Sequence, residues 1–126
     1  MGRILVVDDD PDSVEALCLY LEKRLGYTVN SAPNGREALE YILHQTPDLV
    51  ILDLCMPELD GCTLLEVLRS YLRLQTLPVI MFTGVGDSPI LERVRDLNVN
   101  AVLLKGKTSF QEIGEAIEAE LHPQSN

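Results

Sequence analysis

Soft metal ligands are scarce in this chain. Its 126 residues include three cysteines, Cys18, Cys55 and Cys62, and two histidines, His44 and His122. The cysteines are odd in number and form no C-x-x-C pair, so a zinc site has little support. Cys18 falls on the apolar stripe of a helical period and reads as a small buried hydrophobe. Long apolar runs are also missing. None approaches the roughly 20 residues that a membrane span needs, and no charged-then-apolar signal segment opens the chain. No membrane partner is expected, and the cytoplasm is the expected compartment. Basic residues are outnumbered, 10 Lys and Arg against 20 Asp and Glu, for a net charge of -10. Nucleic-acid binding rests on clustered Lys and Arg, so a direct nucleic-acid partner is not expected. Linkers, internal repeats and low-complexity stretches are absent, which leaves one domain over residues 1–126.

What is present alternates in type. Short apolar or β-branched runs, "RILVVD", "YTVNS", "DLVILD", "PVIMFT" and "AVLLK", predict strands near 3–8, 27–31, 48–53, 78–83 and 101–105. Several are apolar on consecutive residues, as in parallel strands covered on both faces. Helical periods fall near 11–25, 35–45, 61–73, 88–97 and 108–121. The first carries Val14, Leu17, Cys18, Leu21 and Leu25, led in by Pro11 and stopped by Gly26. The second carries Ala38, Leu39, Ile42 and Leu43, and the third Leu64, Leu65, Leu68 and Leu72. Ser88 and Pro89 announce the fourth, with Ile90, Val94 and Leu97. Thr108 and Gln111 have capping-box spacing at the start of the fifth, ahead of Ile113, Ile117 and Leu121. Five strands alternating with five helices predict an α/β fold with a parallel sheet and helices on both faces.

In such a sheet, ligands gather beyond the carboxyl ends of the strands. The first strand ends in Asp8 and Asp9, the third in Asp53, the fourth in Thr83 and the fifth in Lys105. The second ends in "NSAPNG", with nothing comparable, which suits an edge strand. Taken singly, each residue has a bland reading. Asp10 before Pro11 reads as a helix cap, and Asp60-Gly61 as a turn. Convergence changes the weight. Asp8, Asp9 and Asp53 would crowd negative charge unless a cation sat between them. Oxygen ligands without His or Cys favour magnesium, Mg2+. Two carboxylates on a metal, a central carboxylate, a hydroxyl and a lysine suit a phosphoryl group. Asp53, being central, is the candidate nucleophile, giving an acyl phosphate.

This constellation resembles the receiver domain of two-component response regulators, of the chemotaxis-regulator type. The likeness rests on "VVDDD", "DLVILDLCMPELDG", "VIMFTG" and "VLLKG", each at the end of the right strand. It implies a three-layer flavodoxin-like fold with a five-stranded parallel sheet in the order 2-1-3-4-5. It implies that Asp53 accepts a phosphoryl group from a sensor histidine kinase or a histidine phosphotransfer protein. Asp9, Asp53 and the main-chain carbonyl of Cys55 would bind Mg2+, with Asp8 acting largely through water. Thr83 and Lys105 would hold the phosphoryl oxygens, and Met56-Pro57 would shape the adjoining loop. The domain would be a signalling device rather than an enzyme, promoting its own phosphorylation and dephosphorylation. The added charge would bias the surface of the fourth helix, fifth strand and fifth helix, where a downstream protein target or output domain docks. A monomer or weak homodimer is the expected state. Cys55, two positions past the acceptor, is expected to lie beside attacking water.

Two departures from the family pattern carry expectations of their own. Val102 stands where the family has Tyr or Phe as a rotameric switch, so phosphorylation is expected to be intact with an altered readout. Gly106 replaces the usual proline, which should leave Lys105 less firmly held. A metal-dependent phosphatase of the haloacid-dehalogenase type needs an Asp two positions past its nucleophile, where Cys55 stands. An unphosphorylated receiver-fold interaction module is the remaining alternative, although its usual loss of the acidic pocket is not seen. The chain stops soon after the fifth helix. That ending fits a stand-alone receiver or the receiver of a longer regulator or hybrid kinase.

Overall fold

Apolar side chains on consecutive strand residues demand cover on both faces, and the fold supplies it. The computed structural model describes residues 2–56, 59–84 and 89–122. Strands β1 (Arg3–Val7), β2 (Thr28–Ala32), β3 (Leu49–Leu52), β4 (Val79–Thr83) and β5 (Ala101–Leu104) alternate with helices α1 (Pro11–Leu19), α2 (Gly35–His44), α3 (Gly61–Ser70), α4 (Pro89–Arg95) and α5 (Phe110–Leu121). All neighbouring strands pair in parallel, in the order β2-β1-β3-β4-β5. This is the flavodoxin-like order expected from the sequence.

The period-two alternation of strands sorts the core into two halves. Leu5, Val7, Val50, Leu52, Val79 and Met81 point to one face, where Ala38 and Ile42 of α2, Leu64, Leu65 and Leu68 of α3, and Leu91 and Val94 of α4 cover them. Ile4, Val6, Leu49, Ile51 and Ile80 point to the other, under Leu17 of α1, Leu21, and Ile113 and Ile117 of α5. Full burial of one such side chain stabilises the fold by about 1.5–3 kcal/mol. Cys18 is half-buried at the margin of the second half. No helix among the described residues is long and apolar enough to cross a membrane.

Several boundaries and faces differ from expectation. The first helix is α-helical to Leu19 and continues as a π-helical turn, Tyr20–Arg24, before Gly26 ends it at φ 78°. The third stops at Ser70 because Tyr71 is extended, at ψ 125°, ahead of a 3₁₀ turn, Leu72–Leu74. That break turns Leu72 into solvent, 84% exposed, and Leu74 takes the core position instead. The Arg69 guanidinium ties this corner together, donating to the carbonyls of Leu74 (2.7 Å), Leu97 (2.9 Å) and Asn98 (3.0 Å). In α4 the expected Val94 is buried together with Leu91, while Ile90 is 42% exposed. Ser88 lies outside the described residues. The capping box of α5 is Ser109 with Glu112, one residue later than the expected Thr108 and Gln111. The Ser109 hydroxyl accepts from the Glu112 amide at 3.1 Å, and the Glu112 carboxylate accepts from the Ser109 amide at 3.0 Å.

Candidate functional site

The carboxyl ends of β1, β3, β4 and β5 meet at one edge of the sheet, and the β1–α1 turn shapes the first of them. Asp10 caps α1, accepting from the Asp12 amide at 3.2 Å and the Ser13 hydroxyl at 2.9 Å. The Ser13 hydrogen bond, with backbone donors behind it, holds the Asp10 carboxyl below its usual range. The Asp10 amide donates back to the Asp8 carboxylate at 3.0 Å. The third aspartate of the run thereby orients the first.

Asp8 and Asp53 are both buried, while Asp9 is exposed. One carboxylate oxygen from each of the three lies within 4.8 Å of the others. A buried carboxylate needs a donor or a cation, and Lys105 serves two. Its Nζ lies 2.6 Å from Asp8 and 3.3 Å from Asp53. The lysine therefore sits against the acidic pair, closer to Asp8 than to Asp53, rather than standing on the far side of the pocket. Burial pushes the Asp53 carboxyl above its usual range, against the pull of Lys105 and with the added push of Asp8. Burial works to lower Lys105, but its hydrogen bond to Asp8 and the charges of Asp53 and Asp8 outweigh that and raise it. One ammonium against three carboxylates leaves an excess of negative charge, and the available ligands are all hard oxygens. That donor set fits Mg2+.

Thr83 is fully buried at the end of β4. Its carbonyl accepts from the Lys105 amide at 2.8 Å, which keeps β4 and β5 in step as they reach the site. Cys55 is exposed, and its amide donates to the Asp53 carboxylate at 3.4 Å. Pro57 lies outside the described residues. Val102 is half-buried and packs with the half of the core under α2, α3 and α4. Gly106 stands at φ 83° after a trans peptide, and Lys105 nonetheless reaches both carboxylates. The permissive residue does not keep the lysine from the site.

Asp60 and Gly61 do more than the turn signal of their dipeptide implies. Asp60 is the N-cap of α3, accepting from the Thr63 amide at 2.8 Å. Gly61 is a point of close approach: a Cβ there would collide with the Asp53 carbonyl oxygen. Its amide donates to the Leu54 carbonyl at 3.1 Å. Gly35, at the start of α2, plays the same part at the other end of the loop, with its amide 3.2 Å from the Leu59 carbonyl and no room for a Cβ. The Asp-Gly dipeptide was visible as a turn signal, but nothing local announced the packing against Asp53.

Comparison with known proteins points the same way. A family model described as "Response regulator receiver domain" matches residues 4–118. Among curated proteins, the response regulator Rre1 of Synechocystis is 41% identical over 83 residues, covering 66% of this chain and 36% of that protein. The gliding motility regulatory protein of Myxococcus xanthus is 34% identical over 116 residues, covering 92% of this chain and 15% of that protein. The chain thus matches well under half the length of these two relatives. Among solved structures, a response regulator receiver protein from Pseudomonas putida is 33% identical with a TM-score of 0.86, covering 94% of this chain and 96% of that one. The phosphorylated cyanobacterial phytochrome response regulator RcpA, at 24% identity, shares the fold with a TM-score of 0.87 over 98% of this chain and 96% of its own.

Proposed function

Because the chain belongs to the response regulator receiver domain family, we propose that it is a phosphoacceptor of a two-component phosphorelay and that Asp53 takes the phosphoryl group. The observation that carries this reading is a buried carboxylate at the end of the central strand β3, with a lysine ammonium 3.3 Å away and two further carboxylates beside it. The Asp53 carboxylate attacks phosphorus on a phosphohistidine of a sensor histidine kinase or histidine phosphotransfer protein. The P–N bond breaks, the P–O bond to Asp53 forms, and the imidazole leaves as the neutral base after taking up a proton. Lys105 and Thr83 hold the phosphoryl oxygens. Asp8, Asp9, Asp53 and the main-chain carbonyl of Cys55 would hold Mg2+, which when bound supplies the remaining positive charge against the incoming oxygens.

With about two negative charges added at Asp53, Lys105 is drawn from Asp8 toward the phosphoryl group. The surface of α4, β5 and α5 reports that change to a downstream protein target or output domain. Val102 gives that surface no aromatic side chain to swing, so its readout differs from the family's usual one. The whole chain, 1–126, acts as one cytoplasmic signalling unit, as a monomer or weak homodimer.

The test is incubation with acetyl phosphate and Mg2+ followed by intact mass. Transfer to Asp53 releases acetate and adds one phosphoryl group, and Asp53→Asn should show no gain. Absence of any gain with acetyl phosphate and with phosphohistidine donors would overturn the reading.

A further inference from the structure

The reach of Lys105 into the site poses a problem of restraint. Its ammonium lies at the end of a long rotatable stem, 2.6 Å from Asp8 and 3.3 Å from Asp53. The residue after it restrains it little, since Gly106 sits at φ 83° with open space where a Cβ would stand. The neighbouring strand supplies what the loop does not. Phe82 of β4 is in register with Leu103 of β5, and the ladder runs on through the Lys105 amide to Thr83. Residues two apart share a sheet face. Leu103 and Lys105 therefore leave β5 on the side of Phe82, whereas Val102 packs on the opposite side. The Lys105 Nζ stands 5.8 Å from the centroid of the Phe82 ring. That is inside the roughly 6 Å over which an ammonium is drawn to the negative face of an aromatic ring. Phe82 is half-buried, on the wall of a cleft of about 400 Å³ that Lys105, Gly106 and Phe110 also line.

We propose that Phe82 is a positioning residue for phosphoryl transfer: its ring holds the Lys105 ammonium beside Asp8 and Asp53. The ring acts through the lysine, whose ammonium it faces. The role in transfer rests on Asp53 being the acceptor, whereas the contact does not. What matters is the face of the ring and not the bulk of the side chain. Leu fills much of the same space without a ring, and Tyr keeps the ring.

The experiment uses the full chain with Phe82→Leu and Phe82→Tyr, each checked for its thermal transition. In the NMR spectrum of the unphosphorylated protein, the ε-methylene protons of Lys105, assigned through Lys105→Arg, should lie upfield of ordinary lysines. Phe82→Tyr should keep that shift and Phe82→Leu should lose it. The rate of phosphorylation by acetyl phosphate with Mg2+, read by intact mass, should fall about two- to fivefold in Phe82→Leu. Phe82→Tyr should react at the rate of the unaltered protein. An unshifted Lys105 in the unaltered protein would overturn the proposal without any variant having to fold. So would a folded Phe82→Leu that is phosphorylated at the unaltered rate. A ring-shifted lysine in a protein that takes up no phosphoryl group would sink the role in transfer and the acceptor reading together, with the contact left standing. Normal phosphorylation with no ring shift would sink the Phe82 proposal alone.

Discussion

The loop after β3 and the loop after β5 deliver opposite charges to one site, and they are built by opposite means. The first is fixed through its backbone. Gly61 and Gly35 each donate an amide to a carbonyl of that loop, and each lies so close that a Cβ would collide with main-chain oxygen, of Asp53 and of Leu59. The second is tied to β4 at its first residue, where the Lys105 amide meets the Thr83 carbonyl at 2.8 Å, turns through a bond from the Lys107 amide to the Leu104 carbonyl at 3.2 Å, and has open space at Gly106. Lys105 is held by what its side chain meets: Asp8, Asp53 and the Phe82 ring. The backbone that carries the carboxylate is thus fixed by sterics that ignore charge, and the lysine ammonium by attractions that depend on it. A change of charge at Asp53 will move the lysine before it moves the carboxylate.

The largest expected effect strikes the fixed loop. Gly61→Ala must push the backbone off Asp53, a kind of overpacking that costs about 1–3 kcal/mol and occasionally more. Urea denaturation should show a lower midpoint with an unchanged slope, and phosphorylation should slow. An Ala variant of unaltered stability would break the contrast between the loops. The open loop should lose less. Gly106→Ala meets no neighbouring atom, so its cost is that of one left-handed residue, about 1–2 kcal/mol. Gly106→Asn should cost less than Ala, because Asn tolerates that region better, and the same denaturation series would compare them. Ser109→Ala should cost about 1 kcal/mol by removing the cap of α5, whereas Thr108→Ala should stay within about 0.5 kcal/mol. Equal losses at the two positions would contradict the capping geometry.

The last prediction turns on sign. The folded state raises the Asp53 carboxyl above its ordinary 3.8, chiefly by burial. The folded protein therefore holds that proton more tightly than the unfolded chain does. Its contribution to stability is present below the ordinary value and is lost as pH rises through the raised one. Asp53→Asn has no such loss. In buffer without Mg2+, thermal transitions from about pH 3 to pH 7 should show the variant gaining on the unaltered protein across that window and then levelling off. A gain of the opposite sign would mean that Lys105 outweighs burial at Asp53.

Much of this was legible because it is periodic or terminal. Strand runs such as "LVIL" need cover on both faces, and the residues that end the strands fall at one edge, so the sequence alone gathers Asp8, Asp9, Asp53, Thr83 and Lys105. The errors arose where a local pattern allows two answers. "TSFQE" contains both Thr108–Gln111 and Ser109–Glu112 at capping spacing, and the extended conformation of Ser109 decides between them. Leu72 continues the stripe of the third helix on paper, but the break at Tyr71 hands its place to Leu74. The role of Gly35 arises from packing of α2 on Leu59, and that of Gly61 from packing of the start of α3 on Asp53 and Leu54, and neither contact leaves a local signal in the sequence. Phe82 was recoverable, since its parity on β4 puts it opposite Thr83 and beside Lys105.

Reductive trapping tests the assignment of the acceptor most directly. Protein phosphorylated with acetyl phosphate and Mg2+ is treated with borohydride, which reduces an aspartyl phosphate to homoserine, and its peptides are read by mass. Conversion confined to position 53 is the predicted result. Conversion at Asp8 or Asp9, or a stable phosphoryl group that borohydride leaves in place, would contradict it.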